Sequence, residues 1–512
     1  MSGRARADRE RRGGRPLRRR NGAGGPAPRR EAPPPPRAAR PRPAAGRAEI
    51  WNEKRLLLAT CAKGVPPYLK REIEAAGLPV LGERVAGIES EGTLADAMRL
   101  NLRLRTAQRV LLLLQSFEAV HPDALYREVN RFPWEQWLAP DGYFSVRVSV
   151  NTPAVRDERF AALRCKDAIA DRLRARCWRR PDSGPAHDRF VVFLYWSERR
   201  CRVYLDSSGE PLSRRGYRRL PGKAPMQETL AAATILATRW DGRGHFVNPM
   251  CGSGTLAIEA ALLALNRAPG LLRSNFGFMH VAGFPRAAWE RLTREAEGEA
   301  RTAPAGRILA SDLDPQAVNT ARENARAAGV ERFIEFSAGD FADCVPPPGG
   351  GVVLMNPEYG QRLGETDALR ALYPRIGDFF KQKCQGYTGY VFTGNLELAK
   401  TIGLRTSRRL TFFNGELECR LLQYDLYAGT RRRFGAPQAQ DGEQQQAVLQ
   451  GEDGRQGAGG DDHAAQPQAR QERVQQKDVH PPARAPGRRQ SQAREQGRDQ
   501  GVATRRVRGR QP

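Results

Sequence analysis

The sequence predicts an α/β fold in two parts, flanked by disordered basic tails. Residues 51–206 mix strands and helices as an α+β region. Residues 226–427 alternate strand and helix, the pattern of a doubly wound sheet. A composition shift at each end marks the tails. The chain has 512 residues and a formal charge of +27, from 84 Lys and Arg against 57 Asp and Glu. Residues 1–50 hold 15 Arg, nine Pro and seven Gly, and no aromatic residue. Residues 430–512 hold 17 Gln and one aromatic, Phe434. Neither end can bury enough apolar surface to offset chain entropy. Together they carry 17 of the 27 net charges.

The α+β region opens on the apolar run Leu56–Ala59, a short strand. Tyr68, Leu69, Ile73 and Ala76 recur at helical spacing and stop at Gly77. Residues 88–92 read as a strand and turn, 95–102 as a helix, and Val110–Leu114 as a buried strand. Phe144, Val146 and Val148 alternate and predict a half-buried strand. A helix over Leu163–Trp178 carries several basic residues, and strands follow at Phe190–Tyr195 and Val203–Asp206.

In the second part, Gln227–Arg239 is helical, and Phe246-Val247 ends in a Gly-rich turn and the helix Leu256–Leu265. Strands at Arg307–Ala310, Ile334–Phe336, Val352–Met355 and Tyr390–Thr393 alternate with helices at Pro315–Ala328 and Ile376–Lys383. Such sheets bind ligands at the carboxyl ends of their strands.

Composition narrows the function. No run of about 18 apolar residues is present, so no membrane span is expected. The start lacks the apolar stretch of a secretory signal. An organellar transit peptide fits poorly with Pro33–Pro36 and little Ser, so the expected location is the cytoplasm. Eight scattered Cys contain no CxxC pair, and six His form no ligand spacing, so neither metal nor disulfide framework is expected. The positive charge favours a polyanion, nucleic acid first.

Two motifs carry chemistry. Asn248-Pro249-Met250-Cys251-Gly252-Ser253-Gly254-Thr255 joins a strand to a helix. Gly252 and Gly254 let backbone approach a ligand, and helix N–H groups face it. Asp312 closes the next strand and suits a ribose; Asp340 ends the third and suits an adenine amine, with Phe341 as a stacking surface. Turn, acid and acid at successive strand ends imply a nucleoside. The dinucleotide GxGxxG spacing and a P-loop Lys are both missing. The second motif, Asn356-Pro357-Glu358-Tyr359, follows an apolar strand. An exocyclic base amine is a poor nucleophile and needs acceptors to align it. Asn356 and the Pro357 carbonyl supply two without added charge, and Tyr359 can stack on a flipped base.

At these motifs the chain resembles the RlmL-type 23S rRNA guanine-N2 methyltransferases. The likeness covers about 54–427 and includes "LLATCAKGVPPYLKREIEAAG", "LRCKDAIADRLR", "LDSSGEPLSRRGYR", "NPMCGSGTLAIEAALLALNRAPGL", "SDLDP", "NPEYGQRLGE" and "NGELECRLL". It implies an N-terminal ferredoxin-like and THUMP module before a class I methyltransferase sheet. The implied divisions are a ferredoxin-like part at 51–85, THUMP at 86–206 and the methyltransferase domain at 207–429. The likeness further implies S-adenosylmethionine (SAM) as cofactor, held by Asn248, Gly252, Gly254, Asp312 and Asp340. The implied partner is 23S rRNA, free or in an assembling subunit, gripped by the THUMP region. Arg156, Lys166, Arg179 and Arg180 are the candidate phosphate contacts.

Three positions depart from the family pattern: Asn248 for Asp, Glu358 for Pro, and Gln227 for Lys. Many relatives carry a second methyltransferase domain, and its activity is not expected here. Two other readings keep the same residues: an N6-adenine RNA methyltransferase, and an rRNA-binding assembly factor with little catalysis.

Overall fold

The computed structural model describes residues 49–219, 226–358 and 366–427. Apart from Glu49 and Ile50, the two tails lie outside the described residues. The described part of the chain forms two sheets.

The first sheet contains β1 (Arg55–Thr60), β2 (Val80–Arg84), β3 (Gly87–Gly92), β4 (Arg109–Glu118), β5 (Tyr143–Asn151), β6 (Asp182–Ser183), β7 (Phe190–Ser197) and β8 (Arg200–Asp206). Their order is β2-β3-β1-β4-β8-β7-β5-β6. β1 pairs antiparallel with both β3 and β4, so the sheet runs unbroken across residue 85, the expected division. Helices α1 (Glu49–Asn52), α2 (Pro66–Ala75), α3 (Leu94–Arg103), α4 (Pro122–Arg131), α5 (Trp134–Trp137) and α6 (Glu158–Cys177) accompany it. Local chemistry sets their ends. Pro66 starts α2, where its missing N–H costs nothing. Thr93 and Asp96 exchange both bonds of a capping box at α3. Asp157 caps α6 through the Arg159 N–H at 2.9 Å, so that helix starts five residues before the predicted Leu163.

The second sheet contains β9 (His245–Asn248), β10 (Ile308–Asp312), β11 (Ile334–Ala338), β12 (Gly351–Met355), β13 (Tyr387–Thr393), β14 (Arg408–Asn414) and β15 (Leu417–Asp425). The order is β11-β10-β9-β12-β13-β15-β14. The pairings from β11 to β13 are parallel, and β15 and β14 add antiparallel. Its helices are α7 (Glu228–Ala237), α8 (Thr255–Ala264), α9 (Arg286–Gly298), α10 (Pro315–Ala327), α11 (Thr366–Lys383) and α12 (Leu396–Lys400). α7 and α8 are buried on nearly every side, as an apolar helix in a protein core must be. No described helix is long and apolar enough to cross a membrane.

The two sheets share one hydrophobic core cluster, from Leu57 of β1 to Phe392 of β13. Polar contacts stitch the seam. Arg103 forms a two-pronged pair with Glu299 at 2.5 and 2.7 Å. The Gln108 amide donates to Thr229 Oγ1 at 2.7 Å. Arg273 donates to the Pro211 and Ser208 carbonyls at 2.8 and 3.1 Å. Arg215 and Glu259, each 1% exposed, face one another at 3.5 Å, and Tyr217 donates to Glu259 at 3.1 Å. Gly270 lies so close to α3 that a Cβ there would stand 2.6 Å from Leu102 Cα.

Candidate active site

Strand order reverses between β9 and β12. From β9 the chain steps outward to β10 and β11, then returns to the other side at β12. The crevice at such a switch point is where open α/β sheets hold ligands. Asn248 ends β9, Asp312 ends β10, Asp340 lies two residues past β11, and Asn356 follows β12 directly. The fold therefore gathers four sequence-predicted residues along one edge.

The Gly-rich turn has the geometry its composition suggested. Gly252 and Gly254 both adopt left-handed conformations, with φ of 51° and 83°. A Cβ on Gly254 would meet Ala321 Cβ at 2.8 Å, whereas Gly252 faces open space. The Gly252 N–H donates to Asp312 Oδ2 at 2.8 Å, and the Asp314 N–H donates to Oδ1 at 3.1 Å. Asn324 braces the same turn, donating to the Ser253 carbonyl at 3.1 Å and accepting from the Arg219 N–H at 3.1 Å. α8 starts without a side-chain cap, leaving its first N–H groups at the crevice.

Asn248 is wholly buried. Its Nδ2 donates to the Leu354 carbonyl of the neighbouring β12 at 2.8 Å, while Oδ1 has no partner. A buried acceptor left unmatched costs about 1–3 kcal/mol, so its retention calls for a donor.

Asp340 is fixed in place at the third strand end. Its Oδ1 accepts from the Ala342 N–H at 2.9 Å, and its Oδ2 accepts from Arg375 at 2.7 Å. Burial pushes this carboxyl up, but the Arg375 and Ala342 bonds outweigh it and hold it below the ordinary range. Each oxygen of Asp340 thus carries one donor, as each oxygen of Asp312 does, and each keeps a further lone pair. Arg375 also sits over the Phe341 ring at 5.1 Å, and Phe341 is buried edge-on against Phe379. Arg375, Asn324 and the 72%-exposed Leu313 beside Asp312 escaped sequence reasoning. Each acts through a partner far off in the chain or through exposure, neither of which a local motif encodes.

In the second motif, Asn356 is half-buried, Pro357 buried and Glu358 exposed; Tyr359 lies outside the described residues. Tyr373 shares a 2.8 Å hydrogen bond with Thr393 and donates to the Glu358 carbonyl at 3.4 Å, which steadies the backbone after Pro357. Burial pushes the Cys251 and Cys344 thiols up, which suits packing rather than nucleophilic attack. No group of metal-ligating side chains occurs among the described residues.

The four candidate phosphate contacts do not form one patch. Arg156 is exposed before α6, Lys166 is half-buried within it, and Arg179 and Arg180 are exposed just past its end. A 20-residue helix is about 30 Å long, so the two ends are well separated. Arg180 also reaches back to Asp167 at 3.8 Å.

Comparison with known proteins fits this architecture. An RlmL ferredoxin-like domain model matches residues 56–111, and a THUMP domain model matches 120–206. An RMKL-like methyltransferase domain model matches 215–423. A Synechocystis protein named as an RNA methyltransferase is 35% identical over 369 residues, which cover 72% of this chain and 96% of that protein. The chain belongs to the RMKL-like methyltransferase family. A second member, the ribosomal RNA large subunit methyltransferase K/L of Syntrophotalea carbinolica, is 40% identical over 393 residues. That match covers 74% of this chain and 55% of the relative, so the chain spans about half the length of the K/L-type relatives it matches. Among solved structures, the methyltransferase SMU.472 complexed with SAH aligns with a TM-score of 0.68 at 28% identity. The alignment covers 74% of this chain and all of that one.

Proposed function

We propose that this chain uses SAM to methylate the exocyclic N2 amine of a guanine in 23S rRNA, free or within an assembling large subunit. The observation that carries the reading is the pairing of two features across β9 and β12. One is the unmatched Asn248 oxygen beside an open Gly252 turn; the other is Asn356-Pro357 at the adjacent strand end. The large-subunit rRNA methyltransferase names of the relatives support the substrate class, and the SAH complex of SMU.472 supports the cofactor. A cytoplasmic location goes with this reading, in keeping with eight unpaired cysteines.

The residues fit SAM. The Asn248 oxygen offers an acceptor without a donor of its own, and the space at Gly252 admits a ligand against backbone. Asp312, oriented by two N–H groups, keeps lone pairs for ribose hydroxyls. Arg375 keeps Asp340 ionised and in place at the third strand end. SAM, when bound, supplies an electrophilic methyl group on a sulfonium. The protein's share is alignment. The guanine amine lone pair is delocalised into the ring, so the Asn356 side-chain oxygen and the Pro357 carbonyl accept its two N–H bonds and turn it toward the methyl. Tyr359 stacks on the flipped base. The amine proton leaves to solvent after the N–C bond forms, and no covalent enzyme adduct is needed.

Purified chain, protein-free 23S rRNA and labelled SAM test the reading by mass analysis of the nucleosides. N2-methylguanosine is the expected product. N6-methyladenosine would reassign the base, and no incorporation with intact RNA binding would favour an assembly role. Asn356→Ala should lower turnover by about 100-fold or more, since losing an aligning acceptor costs several kcal/mol in the transition state. Its SAM affinity by calorimetry should stay near that of the parent chain.

A further inference from the structure

Trp178 is 92% exposed, far more than any other large apolar side chain described. The sequence places it as the last residue of a helix. In the structure it sits just past Cys177 with φ of 56° and ψ of 18°, in the left-handed region. That position at a helix end is usually Gly or Asn, because a side chain there crowds the backbone. A bulky ring is thus held in a disfavoured conformation and turned to water, where it contributes no packing.

Its surroundings are cationic. Arg174 and Arg176 occupy the last turn of α6, and Arg179 and Arg180 follow Trp178. Arg174, Arg176 and Arg179 are exposed and make no ion pair among the described residues; Arg180 has only the 3.8 Å contact to Asp167. The neighbouring Arg172 shows what a structural arginine on this helix does: it is bound at 2.6 Å to Glu135. A flat ring set among free guanidinium groups matches an unpaired nucleotide, with a base to stack on the ring and phosphates for the arginines. A membrane surface would want an exposed apolar face, and this end of α6 offers none beside Trp178: Leu173 is buried, while Arg174 and Arg176 are exposed.

We propose that Trp178 is a stacking platform for one unpaired base of the RNA, with Arg174, Arg176, Arg179 and Arg180 holding the phosphates on either side. The platform rests on the RNA reading given above and adds to it a preference for single-stranded over paired RNA at this end of α6.

The test uses the full chain and a 12-nucleotide oligoadenylate carrying one 2-aminopurine, whose fluorescence falls when the base stacks. The parent chain should bind it and quench it. Trp178→Ala should weaken binding about tenfold and abolish the quench, while Trp178→Phe should keep most of both. Arg179→Ala should weaken binding to any sequence and flatten the salt dependence by about one unit of slope. Melting temperature should not move in Trp178→Ala, because the ring packs on nothing. Equal affinity and equal quench for Trp178→Ala and the parent would overturn the platform, as would failure of the parent chain to bind the oligonucleotide. Reduced binding of Trp178→Ala to phosphatidylserine vesicles, with RNA binding unchanged, would overturn it in favour of a lipid surface. Methylation of 23S rRNA by the parent chain is scored separately: its presence alongside any of those failures removes the platform and leaves the proposed reaction standing.

Discussion

At the scale of single residues, Asn248 concentrates the evidence. One end of its amide donates to the Leu354 carbonyl, and the other has no hydrogen-bond partner among the described residues. Asn248→Ala should raise the SAM dissociation constant about tenfold or more, since a hydrogen bond to a charged group is worth about 1.5–3 kcal/mol. Calorimetry would show it, and an unchanged constant would take Asn248 out of the cofactor site. The sequence identified Asn248 and its departure from the family's Asp. It could not reveal the bond to Leu354, which exists only because β9 and β12 are neighbours. Asp340 shows the same limit from the other side. A strand-end acid was legible, but Arg375 lies 35 residues on, in α11, and reaches its Oδ2 only in the folded chain.

Among elements, the strand-to-helix turn separates two roles for glycine that look alike in sequence. Gly252→Ala adds a methyl to open space and meets only the left-handed backbone penalty of about 1–2 kcal/mol. Gly254→Ala meets that penalty and also Ala321. Thermal melting should therefore fall further for Gly254→Ala. Gly252→Ala should lose SAM affinity while losing no more stability than that backbone penalty. Equal losses in melting temperature would refute the distinction. The alternation of β and α across 245–393 was legible because β9, β10, β12 and β13 are short, largely buried runs set between helices. β14 and β15 went unread although Gly415 and Glu416 form the tight turn between them, with Gly415 at φ 65°. Their strands mix arginines with apolar residues, as an edge hairpin does, and so lack a clean hydrophobic signature. The helix over 366–383 contains Pro374, which masked its first half. Trp178 was read as helical because periodicity carries no information on the residue that leaves the helix.

For the molecule as a whole, charge and fold divide the work. Of the 27 net positive charges, 17 lie in residues 1–50 and 430–512, outside the segment that resembles the family. Trimming to residues 51–429 should flatten the slope of log binding constant against log salt, because fewer counterions are released. The methylated nucleotide should stay the same; a change of site on trimming would give the tails a part in target choice.

The seam between the two sheets has a further meaning. Arg103 with Glu299 and Gln108 with Thr229 join the two parts directly, and both sheets share one hydrophobic core. A close-packed core of that kind resists relative movement of the two sheets. A stiff joint turns the molecule into a calliper. On the proposed reading, one jaw would be the end of α6 and the other Asn356-Pro357 past β12, with the gap between them set by the protein. The nucleotide that is modified would then be chosen by its distance from a gripped feature, with the surrounding bases free to vary.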